Sequence, residues 1–205
     1  MAGGDGRLCA LPPASSRGPG VTNQPIPSVL PGVGFGAVVR HADERGSFRE
    51  LWRASGHPGR SFNQANLSIS AAGVLRGLHL HRRQDDLWVV AEGRAFVALV
   101  DVRPMIDGSG PAVVESRELA ADDWVVIPAG VAHGFLALDP LQLVYFVSTE
   151  FDGSDEFGFA WDDPMVNVPW PTAQPPAGGR PILSPRDLAN PSLADLVVSL
   201  RDRSF

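Results

Sequence analysis

The sequence predicts an all-β fold, a sandwich, jelly roll or barrel of eight or more short strands. Three observations predict it. From residue 34 to about 149 the apolar residues fall in runs of roughly four to eight, the length of strands. The runs are rich in β-branched residues and punctuated by Gly, Pro and Asp. No long helical periodicity interrupts them, which leaves the closed or layered antiparallel architectures.

In chain order the runs are Gly34–Val39, Phe48–Trp52, Asn63–Ile69, Leu87–Val90, Ala95–Val102, Ala112–Leu119, Asp123–Ile127 and Leu141–Val147. Each ends where a turn former or a charge cluster breaks the pattern, as at Gly93, Gly108-Ser109-Gly110 and Asp139-Pro140. Alternation is visible from Phe96 to Val102, though the run is apolar on both faces near its middle.

The runs divide the chain into three parts. Residues 1–26 are Gly, Pro, Ser and Ala with few apolar side chains, and read as a flexible leader. They hold no apolar stretch of the secretory kind, so the cytoplasm is the expected compartment. Residues 27–190 form the barrel domain, whose stretch beyond Glu150 is Pro-rich and is expected to wrap the strands as ordered loop. Residues 191–205 are a C-terminal helix and tail, with Ser192 as cap and apolar residues at helical spacing from Leu193 to Leu200.

Composition excludes several classes of function. The net charge is −6 and every one of the 17 basic residues is arginine, a balance against bulk nucleic-acid binding. No apolar stretch is long enough to span a membrane. A single cysteine, Cys9, excludes an internal disulfide and any cysteine-built zinc centre.

Chemistry concentrates around three of the five histidines. His79 and His81, in Gly73-Val74-Leu75-Arg76-Gly77-Leu78-His79-Leu80-His81, are two apart and share a face if that segment is a strand. Pro128-Ala129-Gly130-Val131-Ala132-His133 is a tight turn that delivers His133 onto the start of the next strand. The spacing of Gly73, His79, His81, Asp86 and Gly93, followed by Pro128, Gly130 and His133, resembles the two motifs of the cupin superfamily, with Asp86 in the place of a glutamate. That resemblance implies a double-stranded β-helix, the cupin jelly roll.

A tighter resemblance runs from about His41 to Asp195. Asp43-Glu44-Arg45-Gly46-Ser47-Phe48, Gln64-Ala65-Asn66-Leu67-Ser68, Gly73 to His79, Val100-Asp101-Val102-Arg103, Pro128 to Phe135, Glu156-Phe157-Gly158, Trp161-Asp162-Asp163-Pro164, Pro169-Trp170-Pro171 and Leu183-Ser184-Pro185-Arg186-Asp187 occur in order. Together they resemble the dTDP-4-dehydrorhamnose 3,5-epimerase family, a branch of the cupins that works without metal. The resemblance implies epimerisation at C3, C5 or both of a dTDP-4-keto-6-deoxy sugar, in deoxysugar nucleotide biosynthesis, by a homodimer with no cofactor.

It also assigns roles. His79 is the expected base, Asp187 its carboxylate partner, and Tyr145, the only tyrosine, the acid on the far face of the sugar. Arg45, Gln64, Asn66, Arg76, Glu156 and Arg186 fall where the family holds the nucleotide, and His133 lines the same cavity. Asp101 and Arg103 read as a structural pair at a strand end.

The chain departs from the family where a lysine stabilises the enolate oxygen: that place is Asp86. A carboxylate there repels developing negative charge. The residue two after the base, commonly Gln, is His81, and the aromatic positions expected around the nucleobase read His41 and Phe151. One compensation pairs Asp86 with His81 or Arg82 and sets Arg76 at the ketone oxygen. The alternative is a metal-dependent cupin with His79, His81, Asp86 and His133 as ligands of one divalent Zn, Fe or Mn ion. A further alternative is a relative that binds the sugar nucleotide without turning it over.

Overall fold

The computed structural model describes residues 26–172 and 179–201. Its strands are β1 (Ile26–Pro27), β2 (Gly34–Ala37), β3 (Arg40–Asp43), β4 (Gly46–Arg49), β5 (Gln64–Ser70), β6 (Leu75–Leu80), β7 (Asp86–Glu92), β8 (Arg94–Asp101), β9 (Val113–Ala120), β10 (Asp123–Ile127), β11 (Val131–Ala137), β12 (Leu141–Val147) and β13 (Phe157–Gly158). The helices are short: α1 (Arg103–Asp107), α2 (Pro185–Leu188) and α3 (Leu193–Arg201). Two antiparallel sheets carry the architecture, one ordered β1-β2-β10-β7-β12-β5 and the other β13-β6-β11-β8-β9, beside a separate β3–β4 hairpin. This is the jelly-roll arrangement expected of a cupin.

Period-2 alternation sorts the side chains into three apolar layers. On β8, Val97 and Leu99 face the other sheet, meeting Trp88, Val125 and Leu143 in the central core. Their neighbours Ala98 and Val100 face outward, under Phe159, Val166, Leu193, Leu196, Val197 and Leu200 of the C-terminal wrap. Likewise β7 sends Trp88 and Val90 into the centre, while Leu87 and Val89 pack outward with Phe62 and Trp124. The apolar middle of Phe96–Val102 is therefore a strand covered on both faces, which accounts for its break from alternation.

The segment boundaries shift accordingly. Ile26, read as the end of the leader, pairs with Phe35 at the sheet edge; the rest of the leader lies outside the described residues. Helix α3 is not an appendage, since its apolar face completes the layer over β6 and β8. Its predicted cap is present: the Ser192 hydroxyl accepts the Asp195 amide at 3.1 Å. Residues 202–205 of the expected tail are outside the described residues. Among the described residues no helix is long and apolar enough to cross a membrane.

Two glycines set the closeness of β6 and β11, the strands that carry the histidines. Their pairing shifts register between His133 and Phe135. A Cβ on Gly77 (φ +127°) would lie 2.6 Å from the Gly134 Cα and 2.9 Å from the His133 carbonyl oxygen. A Gly77→Ala substitution is therefore expected to cost about 2–3 kcal/mol, through positive φ and overpacking together. In urea denaturation this appears as a lower midpoint at unchanged slope.

Candidate active site

One end of the space between the sheets is polar instead of apolar. There a cavity of about 480 Å³ opens, walled by β5, β7 and β12 on one side and β6 and β11 on the other. Strand parity builds it. Gln64, Asn66 and Ser68 alternate along β5 with the exposed Ala65, Leu67 and Ile69, so one face of β5 is cavity and the other solvent. On β6, His79 and the neighbouring His81 face the cavity, while Leu78 and Leu80 are buried beneath the wrap.

His79 and Asp187 meet across 108 positions of chain, with Nε2 2.7 Å from Oδ1. A carboxylate accepts, so Nε2 carries the proton and the Nδ1 lone pair is left for substrate. The wrap delivers Asp187 to this point. Ile182 bridges to Val74 beside the start of β6, and the chain then turns into α2. Ser184 caps that turn: its hydroxyl accepts the Asp187 amide at 3.0 Å and donates to Asp187 Oδ2 at 2.8 Å. Burial raises the Asp187 pKa, but the bonds from His79 and Ser184 and the positive charge of Arg186 outweigh it, and the net shift is downward. Asp187 is thus an ionised partner with both oxygens engaged. Ser184 was not among the expected site residues, although Ser-Pro-x-Asp is a legible helix-start signal.

Tyr145 stands on the other sheet, on β12, in register with Asn66 of β5 and Trp88 of β7. Burial pushes its phenol above the ordinary value, with Asp86 and Glu156 adding to the shift and Arg76 opposing it. The phenol therefore stays protonated through neutral pH.

The expected binding residues separate into two groups. Gln64, Asn66, Arg76, His133, Glu156 and Arg186 all line the cavity, as does Phe151 at its mouth. Gln64 donates to Asn66 at 2.9 Å and accepts the Phe151 amide at 2.9 Å; Arg186 pairs with Glu156. Arg45 does not join them within the chain. It lies at the turn of the β3–β4 hairpin, its side chain 85% exposed and paired with Asp43 at 2.5 Å, and His41 on the same hairpin is exposed as well. The expected structural pair is present, with Arg103 donating to Asp101 at 2.6 Å.

Asp86 is buried at the cavity wall, and its partners differ from those expected. It accepts Gln84 Nε2 at 2.8 Å and Trp88 Nε1 at 3.1 Å, not His81 or Arg82. Trp88, two residues on along β7, and Gln84, two residues before it in the preceding loop, reach it directly, a spacing visible in Gln84-Asp85-Asp86-Leu87-Trp88. Arg76 lines the cavity as expected and donates to Ser70 at 3.1 Å.

Of the four residues of the alternative ligand set, three come together. His81, Asp86 and His133 offer ligand atoms that all lie within 4.8 Å of one another; His79 is outside this group, and its Nε2 is held by Asp187. His133 is fully buried, and desolvation lowers its pKa to about 4 despite the attraction of Asp86; it is neutral at physiological pH.

Comparison with known proteins agrees with this geometry. Residues 27–195 match the family described as dTDP-4-dehydrorhamnose 3,5-epimerase. The spore coat polysaccharide biosynthesis protein SpsL of Bacillus subtilis is 35% identical over 148 residues, 70% of this chain and 98% of its own length. Among solved structures, the rmlC epimerase of Mycobacterium tuberculosis superposes with a TM-score of 0.76 at 32% identity, covering 87% of this chain and 92% of that one. The Legionella pneumophila RmlC complex with dTDP-4-keto-L-rhamnose gives 0.74 at 28% identity, covering 86% and 96%. A match across nearly the whole described sandwich, the wrap that carries Asp187 included, places the chain in the dTDP-4-dehydrorhamnose 3,5-epimerase family.

Proposed function

We propose that the protein epimerises a dTDP-4-keto-6-deoxy sugar at C3, C5 or both, by proton transfer through an enolate. The observation that carries this is the placement of a carboxylate-backed imidazole and a phenol on facing sheets of one cavity. Inverting a carbon beside a ketone requires proton removal from one face and proton delivery to the other. His79 takes the proton on Nδ1, and Asp187 stabilises the imidazolium that forms. Tyr145 delivers a proton from the opposite wall. The Legionella relative, solved with a dTDP-4-keto sugar, supports the substrate class.

Gln64, Asn66, Arg76, Glu156 and Arg186 supply the polar lining for the nucleotide and its diphosphate, the guanidinium groups being suited to phosphate oxygens. Arg45 belongs to this set only if a second copy brings its hairpin to the cavity, and we propose a homodimer on that ground. Among the described residues β5 is an unpaired sheet edge, with Leu67 and Ile69 exposed, and this supports it. Light scattering is expected to return twice the chain mass, and a Leu67→Glu/Ile69→Glu variant to return the single mass; a monomeric parent would overturn the dimer.

Incubation in deuterium oxide tests the chemistry. The parent is expected to wash deuterium into C3 or C5 of a dTDP-4-keto-6-deoxy sugar and to invert the labelled carbon. His79→Ala should lose both exchange and inversion, and Asp187→Asn should slow exchange by about 10²–10⁴-fold. Tyr145→Phe should still exchange, because the base remains, yet return the deuteron to the original face. Exchange that survives in His79→Ala would remove the base assignment.

The pH profile has a defined sign. Because the Tyr145 phenol is pushed up, the rate of inversion should show no alkaline fall below about pH 10 from loss of the acid. An alkaline limb near neutrality that disappears in Tyr145→Phe exchange kinetics would contradict it.

A further inference from the structure

The chain replaces the enolate-stabilising cation of its family with a carboxylate, and the structure shows what surrounds that carboxylate. Besides its two neutral donors, Gln84 and Trp88, two imidazoles approach it, those of His81 and His133. His133 Nδ1 lies 3.0 Å from the Val131 carbonyl oxygen and His81 Nδ1 lies 2.5 Å from the Asp155 carbonyl oxygen. A carbonyl only accepts, so each Nδ1 is the protonated nitrogen and each Nε2 is a bare lone pair. His133 Nε2 is 3.8 Å from Asp86 Oδ2, too far for a hydrogen bond, and the three ligand atoms lie within 4.8 Å of one another. Acceptors gathered in a buried wall repel unless a cation sits between them.

We propose that His81, Asp86 and His133 bind one divalent transition-metal cation, with its open coordination positions facing the cavity. Two imidazoles and a carboxylate suit the Zn, Co, Mn and Fe class. The supporting contacts are those such sites require: each imidazole is fixed by a backbone carbonyl, and the carboxylate is oriented by Gln84 and Trp88. Metal–nitrogen bonds of about 2.1 Å need the ligand atoms to close by roughly 1 Å, well within side-chain rotation. His79 stays outside the set, so its Nδ1 lone pair remains available for proton abstraction. On the epimerase reading, on which this part rests, the cation accepts the C4 ketone oxygen and takes the enolate charge that a lysine would take.

Cobalt(II) titrated into the chelator-treated full chain, followed by its visible d–d absorption, is the test. Saturation near one equivalent is expected, with affinity lowered at least about 10-fold in Asp86→Asn and in His81→Gln and unchanged in His79→Ala. His81 is only half-buried, so His81→Gln keeps the test sound should Asp86→Asn misfold. No saturable binding, or binding that survives both substitutions, overturns the site. Deuterium exchange is then compared in stripped and reloaded protein. A fall of about 10²-fold on stripping, restored by metal, is expected. Undiminished exchange after stripping overturns the role at the ketone and leaves the epimerase reading intact; exchange absent from both forms, with cobalt still bound, overturns the epimerase reading instead.

Discussion

The His79–Asp187 hydrogen bond is the constraint on which the site depends. It joins the two parts of the chain that differ most in character, a strand of the sandwich and a Pro-rich wrap with little regular structure. The wrap would be free to slide over the sheet if apolar burial alone held it, because hydrophobic contact is not directional. Directional bonds fix its register instead. Ile182 pairs with the backbone at Gly73 and Leu75, Ser184 closes the turn, and Asp187 reaches the imidazole. Asp163, buried in the same wrap, accepts the Leu193 amide at 2.7 Å and so ties α3 to the wrap as well. The apolar layer under α3 then supplies stability to an arrangement whose geometry has been set by polar groups.

Burial on both faces of the sandwich has a functional consequence. A sheet with one wet face places its functional groups at the rim or in loops. Here β7 and β8 are covered twice, and the inward face changes from apolar to polar along its length. His79 on β6 and Tyr145 on β12 share this support: Leu78 and Leu80 bury the outer face of β6 under the wrap, and Phe146 packs the outer face of β12 against Leu87 and Val89. That rigidity suits a reaction in which base and acid must stay on opposite faces of one sugar ring.

Much of this was legible in the sequence. The strand runs, the apolar middle of Phe96–Val102 and the Ser192 cap follow from local pattern, and the grouping of His79, Tyr145 and Asp187 from the family resemblance. What escaped was non-local or depended on hydrogen atoms. The apolar runs did not mark β6 and β11 because their glycines and histidines break the hydrophobic signal, and those glycines are there for the close approach of the two strands. Arg45 belongs to a motif but does not line the cavity, since motif order says nothing about where a hairpin points. The alternative ligand set includes His79 because spacing treats all histidines alike; the bond to Asp187 that sets His79 apart joins residues 108 positions apart.

Two of the departures from the family pattern, Asp86 and His81, are then best understood as one change. Asp86 alone in the place of a lysine would leave a buried carboxylate against a developing enolate, and neither hydrogen bond it accepts carries a formal charge. His81 alone in the place of a glutamine would add a lone pair with nothing to bind. Together with His133 they form a set whose members each make sense only in the presence of the others and of a positive charge. The cation that the family builds into its chain would here be borrowed from solution. His79 need not move to accommodate it, because its imidazole is held by Asp187 of α2 and not by Asp86.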